Sequence, residues 1–169
     1  MKRLRGALAA LLALAVALGA GLALRRWVAG TARVSGTSMQ TALRSGDVVL
    51  VTRFDYAKAA PRRGDVVQCR FPGRADTYIK RVVGLPGEAV VFSGGQLTVD
   101  GAPMREKYVS SPTGDYSVRL GADEYLLLGD NRMDSYDGRM ADMGPVGRDG
   151  LLGRVRWILW PLDRFGPVK

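Results

Sequence analysis

The chain contains no histidine, so any nucleophilic hydroxyl in it has to be activated by something other than an imidazole. The stretch VSGTSMQTAL, Val34 to Leu43, sets Ser38 among small and polar residues, where it is either a nucleophile or an ordinary turn hydroxyl. The alternatives are lysine, an amino-terminal amine or a carboxylate arrangement, and lysine is scarce enough to survey. Beyond residue 30 there are four, Lys58, Lys80, Lys107 and Lys169. Lys58 follows FDYA in a polar connection, Lys107 lies in the charged run REKY and Lys169 is the last residue, so these three read as solvated. Lys80 differs, because DTYIKRVVGLPGE has strand character and would turn Tyr78, Lys80 and Val82 to one face. A lysine there either snorkels to solvent or is buried among apolar side chains. Burial is what a basic amine needs, since lowering its pKa from about 10.4 to about 7 takes about 4 kcal/mol against the charged form. A third segment, GDNRMDSYDGR from Gly129 to Arg139, follows the apolar run EYLLL. Its polar side chains either cover a surface loop or support the base, Ser135 aiming the amine while Asp137 and Arg139 pair to hold the loop.

Metal chemistry finds little material. The single cysteine, Cys69, would need three carboxylate companions to hold zinc, and its setting VVQCRF reads as a buried strand position. No cofactor or metal is expected. The formal charge of +9 invites nucleic acid as a partner, but five of those charges, Lys2, Arg3, Arg5, Arg25 and Arg26, lie in the first 30 residues, which contain no acid. The other 139 residues hold 20 basic and 16 acidic side chains, scattered and without a nucleic-acid module signature. Membrane lipid is the expected partner for the excess, and nucleic acid is not.

Those reactive segments need elements to position them. From Gly6 to Leu24 the sequence is uncharged, Ala- and Leu-rich and bracketed by KRLR and RR. As a helix it would span about 28 Å, close to the roughly 30 Å of a bilayer core. The expectation is a transmembrane helix, with an inside amino terminus and the bulk of the chain outside; a cleavable signal peptide is the competing reading. Residues 1–30 are therefore expected to be a membrane anchor and residues 31–169 one folded domain. Beyond residue 30 short apolar runs alternate with Gly, Pro, Asp and Ser. DVVLV, DVVQCRF, TYIKRVV, EAVVF, QLTV, EYLLLG and GRVRWILW are strand candidates, with turns at Ser93-Gly94-Gly95 and Asp100-Gly101. The predicted class is all-β, a mainly antiparallel, barrel-like sheet carrying one amino-terminal transmembrane helix. In the last candidate, strict alternation puts Val155, Trp157 and Leu159 on one face and Arg156, Ile158 and Trp160 on the other. Trp157 and Trp160 are either core aromatics or interfacial ones.

Together the three motifs resemble those of bacterial type I signal peptidases, membrane-bound Ser-Lys proteases that remove signal peptides from exported pre-proteins. The family's G-x-S-M-x-P-T-L is similar to GTSMQTAL, Gly36 to Leu43; its R-G-D-V-V occurs at Arg63 to Val67, followed by YIKRVVGLPGE; and its G-D-N-R-x-x-S-x-D-S-R resembles Gly129 to Arg139. The likeness runs on to WPLDRFG. It implies Ser38 as nucleophile and Lys80 as general base, with Gly36, Met39, Ser135, Asp137 and Arg139 in supporting roles. The implied partner is the signal-peptide region of exported pre-proteins, cut outside the bacterial plasma membrane by a single-pass enzyme without cofactor. Arg63-Gly64-Asp65 is not read as an adhesion tripeptide. Thr41-Ala42 stands where the family has Pro-Thr, removing a proline restraint from the serine loop, and Gly138 replaces a serine. Gly36 occupies a position where some members carry an oxyanion-binding serine, leaving more of that work to backbone N–H groups. About 40 residues separate the lysine motif from GDNR, which implies a compact version without a large inserted β domain. The alternatives are a related Ser-Lys maturation protease of a conjugation system and a catalytically inactive, membrane-tethered peptide-binding β domain.

Overall fold

The computed structural model describes residues 11–22 and 29–169. Residues 11–22 are helical, and among the described residues no helix is long and apolar enough to cross a membrane. The remaining residues of the run expected to span the bilayer, Gly6 to Leu24, lie outside the described set.

Twelve strands follow among the described residues, and every pairing between them is antiparallel. The larger sheet takes β1 (Ala29–Arg33), β2 (Val48–Thr52), β3 (Val66–Cys69), β4 (Tyr78–Gly84), β9 (Glu124–Leu128), β10 (Val146–Gly147), β11 (Leu151–Trp160) and β12 (Gly166–Pro167). Its order is β1-β2-β11-β3-β4-β9-β10, with β12 on β11. The smaller sheet is β7-β6-β5-β8, from β5 (Ala89–Ser93), β6 (Gln96–Val99), β7 (Ala102–Met104) and β8 (Tyr116–Arg119). All seven predicted strands are present, and the all-β class holds. The glycine and aspartate turns also form: Gly94 and Gly95 have φ of +55° and +79°, Asp100 and Gly101 +50° and +80°, the left-handed pairs that let a two-residue loop follow the sheet's twist.

The larger sheet is covered on both faces. On β3, Val67 and Cys69 point into one apolar cluster with Phe71, Val82, Tyr125 and Leu127, while Val66 points into another with Val34, Met39, Leu43, Val49 and Val155. A third cluster, with Val83, Phe92, Leu126 and Leu128, joins the two sheets. They approach so closely at Gly84 that a Cβ there would lie 2.6 Å from Leu120 Cδ1 and 2.9 Å from Val90 Cγ2. The segment between the lysine motif and GDNR is compact, as expected, and is the small sheet itself.

Strict alternation fails on β11. Its pairing with β2 is interrupted between Val155 and Trp157 and again between Ile158 and Trp160. The first irregularity resets the side-chain phase, so Val155 and Ile158 share the second cluster, while Trp157 is 39% and Trp160 56% exposed. Both indoles are therefore outside the core, against the assignment of Trp157 to the face of Val155 and of Ile158 to that of Trp160.

Candidate active site

Ser38 opens a tight turn that leaves β1 through Val34 to Gly36. Gly36 has a φ of +88°, a left-handed backbone that favours glycine. The turn is closed by Gln40 N–H to Thr37 C=O at 3.0 Å and Ala42 N–H to Met39 C=O at 3.0 Å. Met39 and Leu43, 2% and 0% exposed, anchor it in the second cluster. Ser38 is thus a half-buried hydroxyl on a rim whose base is locked into the core.

Lys80 comes from the middle of β4, paired with Val67 of β3. Its side chain is buried; its Nζ lies 2.9 Å from Ser38 Oγ and 3.2 Å from Ser135 Oγ. Of the alternatives in the sequence, snorkelling to solvent does not occur. Burial pushes the Lys80 pKa below its ordinary value; nearby Asp137 pulls it back up, and Arg139 offsets part of that pull. Lys107 and Lys169 are exposed.

The segment after β9 supplies the rest. Ser135 donates its hydroxyl to Asp137 Oδ2 at 2.6 Å, and Gly129 N–H donates to the same oxygen at 3.0 Å. Arg139 reaches Asp137 through Nε at 2.8 Å and Nη2 at 3.0 Å, and also donates to the Arg132 carbonyl at 2.8 Å. Burial alone would raise the Asp137 pKa, but the hydrogen bonds from Arg139, Ser135 and Gly129 outweigh it and hold the group below the usual carboxylate range. With its own proton committed to Asp137, Ser135 Oγ is left as an acceptor for the amine. Gly129 is obligatory here: a Cβ would stand 2.2 Å from Ser135 Oγ and 2.6 Å from the Ser38 carbonyl oxygen.

Several contributors escape sequence reasoning. Asn131 N–H donates to Ser38 C=O at 2.9 Å, a main-chain bond that no side-chain letter announces. Asp130 is fully buried, accepts Thr41 Oγ1–H at 3.0 Å and forms a two-pronged pair with Arg81 at 2.8 and 2.7 Å. Thr37 donates to Asp134. The serine turn is therefore tied to the loop after β9 at three points, and Thr41 makes one of them from the position where the resemblance leads one to expect proline. Gly138 sits in a tight spot, where a Cβ would be 3.1 Å from the carbonyl oxygens of Leu127 and Gly144, so a larger residue needs small shifts around it.

Ser38 and Lys80 open onto a narrow groove of about 120 Å³ walled by Arg33 to Gly36 and Met39 on one side and Thr77 to Ile79 on the other. Two larger cavities, of about 610 and 650 Å³, are lined by neither Ser38 nor Lys80. Cys69 is buried beneath, its thiol pushed up to about 12 by desolvation, which leaves it unreactive. No group of metal-ligating side chains is found among the described residues. A hydroxyl 2.9 Å from a desolvated amine is chemically competent for proton transfer and nucleophilic attack.

Residues 7–160 match the family described as Signal peptidase, peptidase S26, which makes the class a peptidase. The chain belongs to the signal peptidase family. It is 36% identical over 158 residues to Signal peptidase I of Leptolyngbya laminosa, covering 87% of this chain and 76% of that protein. It is 35% identical over 160 residues to Probable signal peptidase I-2 of a Synechocystis strain, covering 90% and 72%. A crystal structure of a signal peptidase I from Enterococcus faecalis superposes with a TM-score of 0.52 at 26% identity, over 57% of this chain and 97% of that one.

Proposed function

We propose that this signal peptidase family member is a membrane-tethered serine endopeptidase that removes signal peptides from exported pre-proteins with a Ser38-Lys80 dyad. The observation that carries the reading is the 2.9 Å approach of a buried amine, its pKa lowered by desolvation, to the Ser38 hydroxyl. Neutral Lys80 accepts the Ser38 proton as Oγ attacks the scissile carbonyl; one amine N–H points at Ser135 Oγ, which turns the lone pair toward Ser38. The protonated amine then passes its proton to the leaving nitrogen. The acyl-enzyme is hydrolysed by a water deprotonated by the same amine. Ser38 N–H makes no hydrogen bond within the chain among the described residues, and in this reading it donates to the oxyanion.

The substrate lies extended in the groove. β1 is the edge of its sheet, and β9 pairs with β4 from Arg81 onward, so Tyr78 to Lys80 are unpaired on that side. A peptide strand between these two walls gains main-chain hydrogen bonds, and the small groove volume favours small side chains at the positions one and three before the cut. Residues 1–30 are read as the anchor and 31–169 as the catalytic domain, outside the plasma membrane. Exposed apolar residues at the end of β11 and just beyond it, Trp160, Leu162 and Phe165, 56%, 70% and 58% exposed, support a second lipid contact. Incubating Ser38→Ala and Lys80→Ala proteins in detergent with a labelled pre-protein tests the proposal. Cleavage is expected to vanish in both; undiminished cleavage in either rules the dyad out, and a peptide-binding module would cut in no form.

A further inference from the structure

Arg33 ends the edge strand β1 where the groove begins, and it is one of the groove's lining residues. Its neighbours Ala32 and Val34 face inward against the second cluster, so by the alternation of a strand Arg33 faces the opposite way, and it is exposed. None of the ion pairs among the described residues uses it. The residues outside the described set contain no Asp or Glu, so none of them supplies a counter-charge either. Of the acids near the groove, Asp134 is engaged by the Thr37 hydroxyl, and Asp76 stands just outside the lining. The wall therefore presents, on its outward side, one cation that forms no ion pair among the described residues.

We infer that Arg33 is a specificity-determining residue, giving the enzyme a preference for acidic side chains at the outward-facing positions of the substrate, two and four before the cut. This rests on the peptidase reading and extends it. A strand laid along β1 alternates in phase with its neighbour. Side chains one and three before the cut turn into the groove with Val34 and Ile79, and the intervening ones stand on the Arg33 side. A carboxylate there is an opposite-charge cross-strand partner for the guanidinium, and a lysine is a like-charge one.

The test uses the full chain in detergent and matched peptide substrates with Glu, Gln or Lys at position two or four before the cut. Wild type is expected to cut the best-placed Glu peptide about twofold to fivefold faster than its Lys counterpart, judged by kcat/KM at low salt. Arg33→Gln should abolish the difference and Arg33→Glu should invert it, each read as the Glu-to-Lys ratio of kcat/KM within one protein, with matching circular dichroism spectra as the check on folding. The same ranking of Glu and Lys peptides in all three proteins overturns the inference while leaving the peptidase reading standing. Cleavage of no peptide by wild type overturns both.

Discussion

Burial strips an ammonium of its hydration, and at Lys80 that loss outweighs the attraction of Asp137. In the proposed mechanism the protonated amine cannot act as the base, so kcat/KM is expected to rise with pH through a midpoint below the ordinary lysine value. Arg139 neutralises much of the Asp137 charge that Lys80 would otherwise feel. Arg139→Gln should therefore move the midpoint of the pH profile upward, a shift that loss of packing alone would not produce. The same burial has a stability consequence. Between the folded and unfolded pKa of Lys80 the unfolded chain holds the extra proton, so stability increases as pH rises through that window and the full penalty applies below it. Lys80→Met should raise the unfolding midpoint at neutral pH, with the gain shrinking as pH rises from the lowered folded pKa toward about 10.4 and levelling off above it, as read by thermal denaturation. Thr41→Val, which loses the bond to Asp130, is expected to lower kcat/KM about fivefold, equivalent to about 1 kcal/mol, with Thr41→Ser close to wild type. Ser38 and Lys80 were legible because the absence of histidine and the scarcity of lysine left few pairs to consider. Asn131 was not, since its contribution is a backbone N–H that every residue type but proline possesses.

The segment between β9 and the 3₁₀ turn Arg132–Asp134 brings Gly129, Asp130 and Asn131 against the serine turn. Gly129→Ala places a methyl where Ser135 Oγ and the Ser38 carbonyl already stand. Loss of activity by at least about 100-fold is expected, since misplacement by an ångström costs that much, with the β signal in circular dichroism retained. At this scale the sequence spoke clearly about strands whose apolar runs are long, and about the two hairpins whose turns carry Gly-Gly and Asp-Gly. Short strands such as β7, β8 and β10 gave too few residues for a period to emerge. The irregularities of β11 were hidden as well, because an extra residue in a ladder is set by the partner's register. Trp157 and Trp160 thus reach the surface through a pairing shift that their own letters do not encode.

The serine turn hangs from β1 and β2, the lysine from β4 beside β3, and between those pairs lies β11, in the order β2-β11-β3. This order was illegible in the sequence, since β11 meets strands about 100 residues before it, such as Arg154 on Thr52 and on Val67. Ser38 and Lys80 are neighbours because a late segment joins the halves that carry them. A chain stopped before Leu151 retains Ser38, Lys80 and the whole GDNR loop. It is expected to show no cleavage and no cooperative unfolding; full activity from such a fragment would contradict this account of how the halves are joined. The consequence reaches into biosynthesis: a chain still on the ribosome, its last long strand not yet made, is expected to be a harmless one. On this account proteolytic competence arrives only with the strand that knits the larger sheet together, and a half-made peptidase is expected to have no working blade to turn on its neighbours.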